Sequence, residues 1–391
     1  MRVKTTDVDD FSGFDILSDI HNTLKKGNVE VDFLSNNTLS NVKEWIDTGS
    51  YALNAIMSGS VYGGVPVGRV TGLIGPSGVG KTYILSRVMI NAMKTGYLPI
   101  YLDSENALDR EYVERLGGDV SKITHVSVTT IEETTSIIGK TLDKIIQYNS
   151  DIEEKAKQSK EHGEPVPQRQ KFMILIDSLA NLLTKKEIQD SLEGKIASDM
   201  GLRAKLIGAM LRLATNRGAT AQVPILFSNH IYDDPAAMYP SIIKKQSGGH
   251  KPLYLASILL QLSQNYDKIS STNKNEGSAL SEKTTGCNLR VLTAKNRFIV
   301  GQLETELYLS YKNGLDRFSG LLDIAVALGV INRSGPRYEM NGEKLGFASD
   351  FEKSKDFWDR VLPILDPVIK RETALSCEMP EITDEPSEKT I

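Results

Sequence analysis

Residues 75–82 read Gly75-Pro76-Ser77-Gly78-Val79-Gly80-Lys81-Thr82 and fit the pattern G-x-x-x-x-G-K-[ST]. Gly75, Gly78 and Gly80 let the backbone turn its N–H groups inward around a β-phosphate. A helix starting there adds its positive N-terminal end. Lys81 then reaches β and γ oxygens, and the Thr82 hydroxyl can ligate Mg²⁺. The pattern needs a strand before it and a helix after it, and both are legible. "RVTGLIG" is an apolar run, and Ile84, Leu85, Val88, Met89, Ala92 and Met93 recur at helical spacing up to Gly96. The segment through Tyr83 is therefore read as a nucleotide cradle.

A cation beside phosphates needs a second oxygen anchor. Asp177 closes the apolar run "FMILID", which puts a carboxylate at the carboxyl end of a strand, where open α/β sheets bind ligands. Helix capping is its alternative use. Asp103 and Glu105 lie just past another strand end in "YLDSENALD". Two positions apart in extended backbone, they would point the same way. Glu105 is assigned to orient a water for attack on the γ-phosphate, with a plain loop acid as the alternative. His230 closes a third run, "VPILFSNH". It can touch the γ-phosphate or serve the fold alone.

Strands and helices must bring these groups to one edge. "LPIYLD", "KFMILIDS" and "VPILFSNH" are continuous apolar strands, and Leu206, Ile207, Met210, Leu211 and Ala214 mark a helix between the last two. That alternation implies a parallel sheet covered on both faces. The later segments "ASILLQL", "LRVLTAKN" and "LETELYL" lack intervening helical periodicity and predict an antiparallel extension. Residues 14–27 predict an amphipathic helix with Leu17, Ile20 and Leu24 on one face and Gly27 at its end. Residues 149–171 and 264–287 are polar inserts, expected as solvated loops or a helix end. The last 15 residues hold five acidic residues and one lysine and are expected to be disordered.

The 391-residue chain, 40% hydrophobic and 25% charged, has the composition of a soluble globular protein. It shows no membrane span and no secretory leader. Cys287 and Cys377 have no metal-ligand spacing and are expected as reduced thiols in a cytosol. A net charge of −4 announces no nucleic acid, so any such partner needs a local basic surface.

Taken in order, these motifs resemble the RecA recombinase family, most closely its UvsX-type branch from T-even-like phages. The likeness runs from about Thr48 to Gly329. It rests on "TGSYALNAIMSGSVYGGVPVGRVTGLIGPSGVGKT", "LDSENALDREYVERLG", "LIDSLANL", "SDMGLRAK", "AKNRF" and "FSGLLDIAVALG". The resemblance implies an α/β fold with a RecA-type P-loop NTPase core, a mostly parallel sheet extended by antiparallel strands, and small N- and C-terminal appendages. It divides the chain into an N-terminal polymerisation segment (1–45), the ATPase core (46–318), a C-terminal helical region (319–376) and an acidic tail (377–391). ATP and Mg²⁺ are the implied ligands. Glu105 falls on the water-activating glutamate, Asp109 and Tyr112 on adenine contacts, and His230 on the sensor position. His230 departs from the bacterial glutamine and matches the phage branch. Lys295 and Arg297 fall where the family reaches a neighbour's phosphates, with arginine in place of the second lysine.

Two DNA loops are implied, near 184–199 and 231–250. The first carries Lys185, Lys186 and Lys195, with Lys205 on the next helix. In the second, Lys244 and Lys245 would neutralise phosphates, Met238, Tyr239 or Ile242 would meet bases, and Gly248 and Gly249 would admit the strand closely. An ordinary loop is the alternative for each. The implied partners are single-stranded DNA, homologous double-stranded DNA and further copies of the chain in a helical filament. A phage single-strand-binding protein, a recombination mediator and a helicase complete the set, in the cytoplasm (the host's, if phage-encoded). Two other functions compete. A hexameric helicase of related fold would usually carry a separate N-terminal domain, which is not visible. A non-catalytic ATP-binding regulator would show damage at Lys81, Asp177 or Glu105, and all three are intact.

Overall fold

The computed structural model describes residues 13–26, 41–195, 200–232, 242–246, 249, 251–265 and 286–375. The chain divides into two units, 1–43 and 44–391. The first contributes helix α1 (Gly13–Lys26), with Ile16, Ile20 and Leu24 exposed along its length at i, i+4 and i+8. This is the amphipathic helix expected over 14–27. The Leu17 side chain and Gly27 lie outside the described residues, as does the acidic tail.

The second unit opens with a short antiparallel pair, β1 (Trp45–Ile46) and β2 (Val65–Pro66), around helix α2 (Tyr51–Ser58). Then come β3 (Val70–Gly75), α3 (Lys81–Lys94), β4 (Tyr97–Asp103), α4 (Arg110–Arg115), β5 (Thr124–Ser127), α5 (Ile131–His162), β6 (Lys171–Asp177), α6 (Lys185–Leu192), α7 (Met200–Ala221) and β7 (Ile225–Tyr232). They are followed by β8 (Lys245–Gln246), α8 (Lys251–Leu255), β9 (Ile258–Asn265), β10 (Gly286–Asn296), β11 (Glu304–Ser310) and β12 (Gly314–Leu315). The C-terminal part holds α9 (Leu321–Ala327), β13 (Asn332–Ser334), β14 (Arg337–Met340), β15 (Glu343–Gly346), α10 (Ala348–Phe351) and α11 (Lys355–Thr373).

Among the described residues, the main sheet runs β12-β11-β10-β9-β3-β7-β6-β4-β5, with β8 added beside β7. Strands β9, β3, β7, β6, β4 and β5 are mutually parallel, and β10 to β12 extend the sheet antiparallel. The expected antiparallel extension is therefore present, with one refinement. "ASILLQL" lies parallel to β3, and the direction first reverses at β10.

Both faces are buried, which explains the continuous apolar strands. Leu73, Tyr101, Leu175 and Leu226 face α2 and α3, whereas Ile74, Leu102, Ile176 and Phe227 face α5 and α7. The polar insert at 149–171 proves to be the end of α5 followed by a loop. Most of 264–287 lies outside the described residues. The C-terminal region, expected to be helical, also contains the three-stranded sheet β13-β14-β15. It packs around Trp358, which is fully buried against Phe318 and Phe357.

Candidate functional site

The parallel register sets one row of residues at the carboxyl edge. Gly75 pairs with His230, and Asp103 with Asp177. The phosphate loop rises from this row. Gly78 and Gly80 have φ of 75° and 92°, the left-handed region that glycine enters without a Cβ clash. A Cβ on Gly75 would sit 2.7 Å from the Leu262 carbonyl oxygen. Val79 is buried and anchors the loop, while Pro76, Ser77 and Gly78 form its exposed crown. The N-terminus of α3 points its unpaired N–H groups into the same cradle.

Lys81 Nζ donates to the carbonyls of Gly75 at 3.0 Å and Pro76 at 2.7 Å. Burial lowers its pKa below the usual lysine range, against the opposing pull of Glu105 and Asp177. Thr82 Oγ1 donates to Asp177 Oδ2 at 2.7 Å. The two expected cation ligands thus meet, and a hydroxyl beside a buried carboxylate under a phosphate-binding loop is the oxygen donor set that suits Mg²⁺. The expected residues therefore fit a Mg–nucleotide.

Asp103 and Glu105 do not point the same way. The strand ends at Asp103, whose buried carboxylate accepts the N–H groups of Glu105, Ala107 and Leu108 and contacts His125 Nε2 at 3.0 Å. Burial would raise its pKa, but the hydrogen bonds from His125 and these N–H groups win and lower it. Asp103 therefore folds the loop. Glu105 instead turns to the sheet edge, where its Oε1 accepts from Ser178 Oγ and lies 3.2 Å from His230 Nε2.

The two residues expected at adenine separate. Tyr112 lines a cavity of about 400 Å³ with Tyr83, Arg87, Leu309, Tyr311 and Gly314. Burial pushes its phenol up to about 12. Asp109 caps α4 by accepting from Glu111 N and Tyr112 N, each at 3.2 Å, and lines a different cavity with His125. Arg87 and Tyr311 were missed by sequence reasoning. Only the turn at Lys312-Asn313-Gly314 hinted at a loop there.

Lys295 Nζ donates to the carbonyls of Leu253 at 2.9 Å and Tyr254 at 2.6 Å, and Arg297 Nη2 to Tyr254 O at 2.9 Å. Both cations therefore cap the C-terminal end of α8. Asn296 between them donates to the Ile56 and Met57 carbonyls, which fixes the segment on α2.

The first expected DNA loop is in good part a helix. Thr184 and Glu187 form a capping box that starts α6, so Lys185 and Lys186 stand exposed in its first turn. Lys195 pairs with Glu193, and Lys205 is exposed on α7. Residues 196–199 lie outside the described residues. At the second loop, β8 pairs back on the end of β7, which sets Lys245 opposite Tyr232. The Lys245 side chain and residues Met238, Tyr239 and Gly248 lie outside the described residues. Gly249 has φ of 73°. Lys244 N donates to Gln261 Oε1 at 2.8 Å, and Gln261 Nε2 to Ile242 O at 2.9 Å, so β9 holds the base of this loop.

Comparison with known proteins follows the same outline. Residues 15–150 match the RecA N-terminal domain. The chain is 27% identical over 307 residues to Protein RecA of Leptospira biflexa, covering 77% of this chain and 70% of that one. It is 28% identical over 304 residues to Protein RecA of Streptomyces coelicolor, covering 78% and 70%. No helix among the described residues is long and apolar enough to cross a membrane. The matched region spans the phosphate loop and the Asp103–Glu105 strand end, so residues 15–150 are similar to the RecA N-terminal domain, and the larger part of the chain is similar to Protein RecA.

Proposed function

We propose that this chain is an ATP-dependent recombinase that polymerises on single-stranded DNA and pairs the bound strand with homologous duplex. One observation carries the reading. The nucleotide edge and the second DNA loop share a strand end: Asn229 Nδ2 donates to Gln246 Oε1 at 3.3 Å, beside His230, which faces Glu105. The similarity to Protein RecA supports the same function.

Mg²⁺ at Thr82 and Asp177 would neutralise phosphate charge. Lys81 and the loop N–H groups hold the β and γ oxygens. Glu105 orients the attacking water, and His230 links Glu105 to the strand that enters the loop at 231–250. The tyrosine-lined cavity at Tyr83 and Tyr112 takes the base, with Asp109 beside α4. Lys295 and Arg297 reach the phosphates held by an adjacent copy, in competition with the α8 carbonyls they cap. Since α8 follows the second loop, that exchange ties nucleotide state to DNA grip. Lys185, Lys186, Lys195, Lys205, Lys244 and Lys245 neutralise DNA phosphates, and Met238, Tyr239, Gly248 and Gly249 lie against bases and backbone. Base pairing, not side chains, supplies sequence specificity. His230 and "FSGLLDIAVALG" favour the UvsX-type branch. With it come a phage single-strand-binding protein, a mediator and a helicase as partners in a host cytoplasm.

The test is cryo-EM of the full chain with single-stranded DNA and a slowly hydrolysed ATP analogue, beside hydrolysis rates with and without DNA. Open helical filaments with nucleotide between copies are expected. Closed rings would favour a helicase, and hydrolysis indifferent to DNA a regulator. Nucleotide remote from every boundary between copies would overturn the proposal.

A further inference from the structure

Asp177 is held by more than the phosphate-loop threonine. Its carboxylate is 1% exposed. Oδ2 accepts from Thr82 Oγ1 at 2.7 Å and from the Tyr101 hydroxyl at 2.8 Å, and Oδ1 accepts from Ser228 Oγ. A carboxylate offers about four lone-pair directions, so neutral hydroxyls occupy most of them.

The fold explains how they converge. Side chains alternate along each strand: Tyr101, Leu175 and Leu226 turn toward α3, where Thr82 sits, and so do Asp177 and Ser228, two positions further along β6 and β7. Tyr101 comes from β4 and Ser228 from β7, the two strands that flank β6, so Asp177 is gripped from both sides. The Tyr101 ring is itself fixed. It is fully buried and stacks on His125, centroids 6.3 Å apart with 20° between the planes. Phenylalanine would fill the same apolar space. Among the described residues, Asp177 is the one hydrogen-bond partner of the hydroxyl.

We propose that Tyr101 is a positioning residue for the divalent cation of the nucleotide site, fixing the Asp177 carboxylate in one orientation beside Thr82, with Ser228 as the opposing clamp. This rests on the reading of Asp177 as the cation anchor. A carboxylate freed of one partner samples other torsions, and loss of such an outer partner typically weakens metal binding about 10-fold or more. Nucleotide affinity without metal does not pass through Asp177 and stays unchanged.

The experiment follows binding of a methylanthraniloyl-ADP probe by fluorescence while MgCl₂, and separately MnCl₂, is titrated into the full-length protein. For Tyr101→Phe the half-saturating Mg²⁺ concentration should rise about 10-fold, with probe affinity in EDTA equal to the parent's. Asp177→Asn separates the two claims. If it leaves the Mg²⁺ dependence intact, the anchor assignment itself fails. If it abolishes that dependence while Tyr101→Phe only lowers the melting temperature, the anchor stands and the Tyr101 proposal is overturned. Should Tyr101→Phe not fold, Ser228→Ala supplies the same readout, and an unshifted Mg²⁺ curve there refutes the clamp.

Discussion

His230 Nε2 lies 3.2 Å from Glu105 Oε1, although their strands β7 and β4 are not neighbours in the sheet. Strand β6 runs between them, and Ser178 at its end donates to the same glutamate oxygen. Three strand ends thus converge on one carboxylate beside the phosphate loop. A group held in this way can orient a water without moving. Glu105→Gln keeps the shape but removes the acceptor charge. Hydrolysis should fall on the order of 100-fold or more, while ATP-dependent DNA binding persists and filaments become long-lived. Steady-state hydrolysis and filament lifetime by light scattering measure both. A normal hydrolysis rate would remove Glu105 from this role.

Lys81 is the buried cation of the cradle, donating to the Gly75 and Pro76 carbonyls. In the proposed complex its removal would leave β and γ oxygens without their ammonium. Lys81→Ala should reduce hydrolysis on the order of 100-fold to 1,000-fold and abolish strand exchange in a plasmid pairing assay. Retained strand exchange would mean that nucleotide does not gate the DNA.

Legibility in the sequence followed burial. Strands β3, β4, β6 and β7 read directly because helices cover both of their faces. Helix α5 went unread even though Ile131, Ile138, Leu142 and Ile145 recur at helical spacing, because its exposed half is so polar. Thr130 capping through Glu133 N was its available signal. The β14–β15 hairpin was hidden by its shortness, yet Asn341-Gly342, at φ of 50° and 84°, is a strong two-residue turn signal. In the site, the chain-local elements were readable: phosphate loop, Asp177, Glu105. Glu105 was chosen over Asp103 from sequence; what required the fold was the role of Asp103, which the bend after β4 turns into a loop scaffold rather than a second acid pointing the same way. The grip of Tyr101 and Ser228 on Asp177 joins residues 76 and 51 positions away and has no sequence signature.

Lys295 gives a pH signature. Burial, with the Arg297 charge nearby, pushes its ammonium from the ordinary 10.5 down to about 8. Between those values the unfolded chain holds this proton and the folded chain does not, so this residue adds stability as pH rises through that window. A finger role runs the other way, because above about 8 the lysine resting on α8 is neutral and must first regain a proton before it can reach a neighbour's phosphates. Cooperativity of ATP hydrolysis should therefore decline between about pH 7 and about pH 9. Lys295→Arg should flatten the decline, since a guanidinium stays charged. An identical profile in the variant would show that Lys295 carries none of it.

The exposed lysines near the two proposed DNA loops predict a salt slope. Each lysine that meets a phosphate on single-stranded DNA displaces counterion, worth about 0.7 in the slope of log affinity against log salt. Lys185→Ala, Lys186→Ala and Lys205→Ala should each flatten the slope by about that amount, equally for all sequences. Fluorescence anisotropy over a salt series checks it. A slope unchanged in all three would clear α6 and the start of α7 of DNA contact.

Asp366 ties α11 to the turn after α2. It is 4% exposed on α11, and its Oδ1 accepts from Ser60 Oγ at 2.6 Å and Val61 N at 2.9 Å, while Lys370 pairs with Oδ2 at 2.7 Å. The same helix ends with Thr373 O accepting Val300 N at 3.0 Å, three residues past Arg297. α11 thus grips the loop that follows β10 and begins at Arg297. In Asp366→Ala the buried Val61 N–H loses its acceptor, costing about 1–3 kcal/mol, read as a shifted midpoint in urea. The loop at 297–302 should loosen with it, so ATP cooperativity should weaken more than the affinity of isolated protein for nucleotide. A stability loss with cooperativity intact would confine Asp366 to holding α11 in place.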